Sequence, residues 1–230
     1  MSAILFDMDG TLIDSEPLWL QAEIEVMAEL GCHWDQQDQI NCLGGPTERT
    51  EKYMQERSNN VKPYGYFGKK LDELMEIKLA NELEIIPNTR ELLQDCKSAG
   101  LKIALVTASA GNLMRAVLKR FPIGFFDIAV SRDDVEKSKP DPAPYLLAAK
   151  LLGVKNEYCV VFEDSPTGVE SGLRSGAQVV GIPHLTQLAP HENLRVIEAI
   201  ADVNFAQLLT WYPFPVSYTH LRAHETVLDL

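Results

Sequence analysis

The chain has 230 residues, of which 46% are hydrophobic and 23% charged, and its 21 basic and 33 acidic residues give a formal net charge of −12. This composition is typical of a folded globular protein with one good-sized core. A chain this acidic repels nucleic acid and anionic membrane surfaces unless it carries a basic patch, and no run of Lys and Arg is long enough to form one.

The chain opens with a buried strand that is followed by helices. The continuous apolar run AILF, residues 3–6, is typical of a strand buried on both faces. A helix should follow it, with Ser15 as its cap and Gly31 at its end. Residues 47–57 predict a polar helix, and the spacing of the apolar residues within 67–79 predicts an amphipathic one.

Strands and helices alternate in the second part of the chain. Asn88 and Glu91 predict a capping box at the start of a helix that Gly100 ends. Further strands are predicted by KIALVTA, DIAVS, YCVVFED and AQVVGI, and further helices by residues 113–120, 142–152, 166 onward and 204–209. Repeated strand–helix units imply the α/β class with a doubly wound parallel sheet.

The first strand is separated from the others by about seventy residues without a strong strand, too many for an ordinary connection. We therefore interpret residues 16–86 as a helical cap domain inserted into an α/β core domain, which residues 1–15 and 87–212 form. Residues 213–230 match neither the acidic composition nor the periodicity of the rest. We interpret them as a candidate non-native tail.

Neither the cysteines nor the apolar runs indicate export or membrane insertion. The four cysteines are widely spaced and form no C-x-x-C motif. The apolar runs are too short to span a membrane, and the residues before Phe6 do not fit a secretory signal. We therefore expect a cytoplasmic protein with reduced thiols and no nucleic-acid or membrane partner, and we expect it to be a monomer.

Polar residues stand where four of the predicted apolar strands end. They comprise two acidic pairs, two hydroxyl residues and a lysine, namely Asp7, Asp9, Thr107, Ser109, Lys139, Glu163 and Asp164. Ligands of open α/β sheets bind at this edge. Clustered carboxylates without His or Cys suit a hard cation, usually Mg²⁺, and a lysine and a hydroxyl beside it suit a phosphate. The pattern therefore predicts metal-assisted phosphoryl chemistry.

The motifs DMDGT, LVTAS, KSKPDP and VVFEDSPTG, in this order, resemble the four motifs of the haloacid dehalogenase superfamily. The run FDMDGTLIDSEPLW before a helical insert resembles the sugar-phosphate phosphatase and β-phosphoglucomutase-like group, and most of all the bacterial hexitol and 2-deoxyglucose-6-phosphate phosphatases. The resemblance implies a Mg²⁺-dependent phosphatase that acts on a small sugar or sugar-alcohol phosphomonoester.

The resemblance also implies a role for each matched residue. Asp7 attacks phosphorus and forms an aspartyl-phosphate, and Asp9 serves as the acid and base. Thr107 and Lys139 hold the phosphoryl oxygens. Ser109 contacts the substrate. Asp7, the backbone carbonyl of Asp9 and Asp164 hold Mg²⁺, which Glu163 contacts through a water.

The cap match is weaker, so its residues rest on local pattern. The run LGGPTERT, residues 43–50, has two glycines and a proline before a helix and predicts a specificity loop. Within it, Arg49 is the candidate for binding substrate, although a solvated helix face explains an exposed arginine as well. Lys139 and Thr107 taken singly also have ordinary structural explanations, and only the combination indicates catalysis.

Two alternative functions remain open at this point. A phosphomutase uses the same core but returns the phosphoryl group to the sugar, and the sequence discriminates poorly between the two. A non-enzymatic phospho-receiver domain also combines acidic residues, Thr, Lys and Mg²⁺, but such domains are about half this length and lack a helical insert. A dehalogenase is disfavoured because Asp9 is present.

Overall fold

The structure, a computed structural model, describes residues 1–42, 47–183 and 187–213, without the side chain of residue 47. The strands are β1 (Ala3–Phe6), β2 (Lys102–Val106), β3 (Ile128–Val130), β4 (Cys159–Glu163), β5 (Gln178–Gly181) and β6 (Leu194–Val196). The α-helices are α1 (Glu16–Ala28), α2 (Gln36–Cys42), α3 (Thr47–Arg57), α4 (Tyr66–Glu82), α5 (Thr89–Ser98), α6 (Gly111–Leu118), α7 (Ala143–Leu152), α8 (Pro166–Arg174) and α9 (Phe205–Trp211).

The described strands form one six-stranded parallel sheet in the order β3-β2-β1-β4-β5-β6. The first strand of the chain therefore lies between β2 and β4, where the strand order reverses direction. This arrangement confirms the predicted α/β class and its parallel sheet.

Both faces of the sheet are covered, as a doubly wound sheet requires. Ile4 and Phe6 point into a core that α5, α6 and α9 also enter. Leu5 points to the opposite face and shares a second core with Tyr145 of α7 and Val169 of α8. The continuous apolar run of β1 follows directly from burial on both sides.

Four helices, α1 to α4, lie between β1 and α5 in the chain, and we call residues 16–82 the helical insert. Within it α4 packs against α1 and α3, and α4 also packs against α6 beside the sheet. Two chain segments that connect the insert to the sheet run side by side, because the Asp14 amide donates to the Glu84 carbonyl at 3.0 Å and the Ile86 amide to the Leu12 carbonyl at 3.1 Å. The boundaries of the core and cap domains stay predictions.

Two elements were absent from the sequence prediction. Helix α2 has the polar sequence QQDQINC, which shows no apolar stripe. Strand β6 has only three residues, all partly or fully exposed at the sheet edge, so it lacks the apolar run that marks the inner strands.

Two predicted helix caps were wrong. Asn88 has a φ of 64°, in the left-handed region, and its side chain makes no capping hydrogen bond, whereas a capping residue normally has an extended backbone. Ser15 also precedes its helix with a helical backbone, φ −98° and ψ −11°, and does not cap it. Its hydroxyl is used elsewhere, as described below.

All four cysteines lie in the described part of the chain and carry free thiols. Within the described ranges, the helices are too short or too polar for any of them to cross a bilayer. Residues 214–230, which include nearly all of the predicted tail, and residues 43–46 of the predicted specificity loop lie outside the described residues.

Candidate active site

Polar side chains leave the sheet together at the carboxyl edge of its central strands. β1 stays in register with both β2 and β4 as far as Phe6, so the residues that follow these strands lie side by side. The predicted site residues at this edge are Asp7 after β1, Thr107 after β2, and Glu163 and Asp164 at the end of β4. The edge coincides with the reversal of strand order, where α/β proteins bind ligands.

The chain turns sharply after Asp7. Two backbone amides donate to the carbonyl of Met8, at 2.9 and 3.0 Å, and close the turn. Gly10 in this turn has a φ of +71°, and a Cβ there would lie 2.1 Å from Oδ2 of Asp164. Only a glycine therefore lets the Asp164 carboxylate pack against the backbone that carries Asp9.

The ammonium of Lys139 lies at the centre of a buried ion-pair network. Its Nζ donates to Asp7 Oδ1 at 2.5 Å, to Glu163 Oε1 at 2.6 Å and to the Val106 carbonyl at 2.8 Å. The side chain is 3% exposed. Because an ammonium has three donors, all of them are used here, and Lys139 is fixed beside Asp7.

Glu163 is fully buried and is held from several sides. Its Oε1 also accepts a hydrogen bond from Tyr145 Oη at 2.6 Å, and the Tyr145 ring centroid lies 5.1 Å from Lys139 Nζ. On another side Gly168 leaves room for the carboxylate, because a Cβ at that position would lie 2.0 Å from it. The structure thus gives Glu163 a direct ion pair with Lys139, and its contact with a metal ion through a water stays a prediction.

Three carboxylates share this edge with the one ammonium of Lys139. One oxygen each from Asp7, Glu163 and Asp164 lie within 4.8 Å of one another. Burial and then the neighbouring carboxylates raise the pKa of Asp7 and of Asp164. Burial on its own would lower the pKa of Lys139, but Asp7 and Glu163 outweigh it and the pKa is raised. The lysine stays charged, and its one ammonium is not enough to offset the burial and mutual repulsion of the three carboxyl groups.

The donor set and this excess charge fit a divalent cation. The three clustered residues offer only carboxylate oxygens, which hard cations such as Mg²⁺ prefer over softer metals. A dication among them would offset both the repulsion and the burial that raise the pKa of Asp7 and of Asp164. The described residues therefore fit Mg²⁺.

Asp9 is fixed by four donors from two parts of the chain. Its Oδ1 accepts from Ser15 Oγ at 2.7 Å and from Trp19 Nε1 at 3.3 Å. Its Oδ2 accepts from Ser109 Oγ at 2.7 Å and from Thr107 Oγ1 at 3.4 Å. The first turns of α1 therefore contact the site directly, and the two hydroxyl residues predicted to contact substrate both donate to Asp9.

A cavity of about 1010 Å³ lies between the carboxyl edge of the sheet and the helical insert. The predicted site residues that line it are Asp7, Asp9, Thr107, Ser109, Lys139 and Asp164. Glu163 lies behind Lys139 and is fully buried. Arg49 is exposed and is not one of the described residues that line the cavity. Its substrate-binding role stays a prediction.

Sequence reasoning missed two residues that hold the site in place. Tyr145 lies in the buried stripe of α7 and Trp19 in the first turn of α1, so both read as ordinary apolar helix residues. A buried tyrosine or tryptophan needs a partner for its polar atom, which is a weak sequence signal. Only the folded chain identifies those partners as Glu163 and Asp9.

Comparison with known proteins gives consistent similarities. A family model described as haloacid dehalogenase-like hydrolase matches residues 4–182. The chain is 33% identical to a phosphorylated carbohydrates phosphatase of Thermotoga maritima, over 80% of this chain and 86% of that protein. It is 32% identical to hexitol phosphatase B of Escherichia coli K12, over 90% of this chain and 92% of that protein.

A solved structure with a similar fold is CbbY from Rhodobacter sphaeroides in complex with xylulose-1,5-bisphosphate. It superimposes with a TM-score of 0.77 and 26% sequence identity, over 90% of this chain and 99% of that one. The similarity extends across both the sheet and the helical insert, because the matched share exceeds either part alone.

Proposed function

The chain belongs to the haloacid dehalogenase-like hydrolase family and is a phosphoric monoester hydrolase, and we propose that it hydrolyses a sugar or sugar-alcohol phosphate through an aspartyl-phosphate on Asp7, with Mg²⁺ as cofactor. The observation that carries the proposal is the buried contact of Lys139 with Asp7 in the wall of a cavity that Asp9 and Asp164 also line. The similar proteins named as carbohydrate and hexitol phosphatases support the substrate class.

In the first step a carboxylate oxygen of Asp7 attacks phosphorus, and the bond from phosphorus to the sugar oxygen breaks. The carboxyl group of Asp9 donates a proton to that oxygen, so the sugar leaves as a neutral alcohol. Lys139 donates to Asp7 and lies where it can also neutralise the phosphoryl group. These contacts support positioning and charge neutralisation as the main sources of catalysis.

In the second step water attacks the phosphorus of the aspartyl-phosphate, and the bond from phosphorus to Asp7 breaks. Asp9 takes the proton of this water and returns to its acid form, while inorganic phosphate leaves. Four hydrogen bonds keep the Asp9 carboxyl group in one place for both transfers. Ser109 and Thr107 belong to this set, and we propose that they orient Asp9 as well as contact the substrate.

We propose that Asp7, the backbone carbonyl of Asp9 and Asp164 hold Mg²⁺, and that Glu163 contacts it through a water. When bound, Mg²⁺ supplies positive charge to the phosphoryl oxygens and offsets the clustered carboxylates. The glycine at position 10 keeps the Asp164 carboxylate against the turn that carries Asp9. This packing supports the assignment of both residues to one ion.

The helical insert acts as the cap in this proposal. Its α1 and α4 line the cavity, and Arg132, next to the sheet, forms an ion pair with Asp72 of α4. Asn112 of α6 also donates to Glu76 of α4 at 2.8 Å. Contacts of this kind support a closed position in which the cap limits the access of water to the site.

The test is phosphate release by the purified protein from p-nitrophenyl phosphate and from a panel of sugar and sugar-alcohol phosphates. We expect activity with Mg²⁺, its loss with EDTA, and recovery when Mg²⁺ is restored. Asp7→Asn should abolish it, whereas Asp95→Asn, which changes an exposed aspartate on α5, should not. An active Asp7→Asn protein, or conversion of the substrate to an isomer without free phosphate, would contradict the proposal.

A further inference from the structure

The wall of the cavity beyond the phosphate-binding end is rich in hydrogen-bond acceptors. Apart from Asp7, Asp9, Asp164 and Lys139, the described lining residues include seven carboxylates and three basic side chains. The basic groups are already occupied or lie in solvent. Arg132 is paired with Asp72 and Asp133, the Lys69 side chain is 80% exposed and lies 4.0 Å from Glu73, and Lys137 is exposed.

Two of these carboxylates, Glu16 and Glu23, form a line along α1, because they lie about two helical turns apart on one face of the helix. The line starts near Asp9, which Ser15 and Trp19 contact. Glu16 interacts electrostatically with both Asp9 and Glu23, and Glu23 interacts with Asp38. Both belong to α1 and line the cavity. Since Asp9 protonates the leaving oxygen in the proposed mechanism, the rest of the leaving group has to lie in the cavity that Glu16 and Glu23 line.

The acceptor capacity of this line is only partly used inside the protein. Among the described residues, Glu23 accepts from the Trp34 indole at 3.0 Å through Oε2, and Glu16 accepts from Gln39 at 3.3 Å through Oε2. Glu51, which also lines the cavity, differs because it already accepts from the amides of residues 65 and 68 and from a glutamine. Glu16 and Glu23 therefore retain acceptor positions for a ligand.

We infer that Glu16 and Glu23 select a leaving group that is uncharged and rich in hydroxyl groups, and that they reject one with a second phosphate or a carboxylate. This inference rests on the proposed function. Hydroxyl groups donate hydrogen bonds to carboxylates, so a polyhydroxyl chain can fill the acceptor positions that Glu16 and Glu23 retain. A second anionic group would meet like charges in a partly buried site and find no buried, unpaired cation among the described lining residues.

The experiment compares two phosphomonoesters that differ at one carbon. Glucitol 6-phosphate has a CH₂OH group where 6-phosphogluconate has a carboxylate, and length and stereochemistry are otherwise shared. At pH 8, above the pKa of about 7 that burial gives Glu16 and Glu23, we expect kcat/KM for glucitol 6-phosphate to exceed that for 6-phosphogluconate by about tenfold or more. One added like charge is unfavourable at this depth. Calorimetry on the Asp7→Asn protein with Mg²⁺ should give a Kd difference in the same direction.

Matched variants assign the effect to the line of carboxylates. Glu23→Gln keeps an acceptor for Trp34 but removes the charge, and it should reduce the preference by about threefold or more. Glu29→Gln makes the same charge change at the exposed end of α1 and should leave the ratio unchanged. If Glu23→Gln does not fold, Glu16→Gln provides the same comparison.

Equal kcat/KM for the two esters, or an unchanged ratio in both Glu16→Gln and Glu23→Gln, would overturn the inference. A preference for 6-phosphogluconate that Arg49→Ala abolishes would also overturn it and would assign the contact to Arg49. If neither ester is hydrolysed, the proposed function fails on these substrates, and the Kd values of the Asp7→Asn protein still decide the inference.

Discussion

Replacing Gly168 by alanine should destabilise the protein and disable its catalytic edge. Gly168 lies in the first turn of α8, where alanine normally stabilises a helix by about 1 kcal/mol relative to glycine. Here the new Cβ would lie 2.0 Å from the Glu163 carboxylate, against an ordinary contact distance of 3.4 Å or more. The carboxylate must therefore move, and Lys139 and Tyr145 both hold it at 2.6 Å.

The size of the effect follows from the contacts that this movement breaks. Hydrogen bonds to charged groups contribute about 1.5–3 kcal/mol each, so the net loss after the helix gain is roughly 2–5 kcal/mol. Thermal unfolding should show a decrease in Tm of about 10 °C, and kcat should fall because Lys139 no longer has a fixed position beside Asp7. Gly172→Ala, in the same helix, would place its Cβ nearest to the side chains of Val161 and Val179 and should leave kcat unchanged. A Gly168→Ala protein with unchanged Tm and kcat would refute this reasoning.

Three further predictions concern other groups around the cavity. Tyr145→Phe removes one donor from buried Glu163 and should lower the free energy of unfolding by about 1.5–3 kcal/mol. Tyr158→Phe, at a 40% exposed residue, should change it by less than about 0.5 kcal/mol. Equal effects of the two variants in urea unfolding would argue against the network. Burial raises the pKa of Glu23 to about 7, and an acid whose pKa is higher in the folded state loses stability as pH rises from about 4.5 through about 7. Glu23→Gln should therefore stabilise the protein at pH 8 by up to about 3 kcal/mol but hardly at pH 4. A stability difference that does not vary with pH would contradict the raised pKa. The charged or titratable groups that interact with Glu23 are Glu16, Asp38 and Cys42. Mg²⁺ at about a hundred times its Kd should stabilise the protein by ~2.7 kcal/mol through mass action, and the increase in Tm should be absent in Asp164→Asn and in the presence of EDTA.

The inner part of the fold could be predicted from the sequence because burial on both faces leaves a local signal. β1, β2 and β4 are apolar runs, and the long stretch after β1 that lacks a strand pattern indicates a helical insert. The sheet edge and the polar helix α2 lack such a signal. Among the described elements, β6 pairs with β5 alone and α2 packs on α1 and α3, so neither needs an apolar run of its own, and both were missed.

Part of the candidate site could also be predicted from the sequence, and part of it could not. Asp7 and Asp164 each follow a strand, and Lys139 stands directly before Pro140, so these positions are visible in the sequence. The partners that orient them are visible only in three dimensions, because a helix stripe does not reveal that the Tyr145 hydroxyl reaches Glu163. Ser15 shows the opposite error, since a good local explanation as a helix cap concealed its contact with Asp9.

The central claim, that Asp7 carries the phosphoryl group, is tested most directly by trapping the enzyme during turnover. The protein is mixed with Mg²⁺ and a sugar phosphate that it hydrolyses, quenched in acid within milliseconds, and digested for mass spectrometry. We expect one added phosphoryl group on the peptide that contains Asp7, and none in Asp7→Asn. A phosphoryl group found on another residue would contradict the account, as would hydrolysis by Asp7→Asn at the wild-type rate.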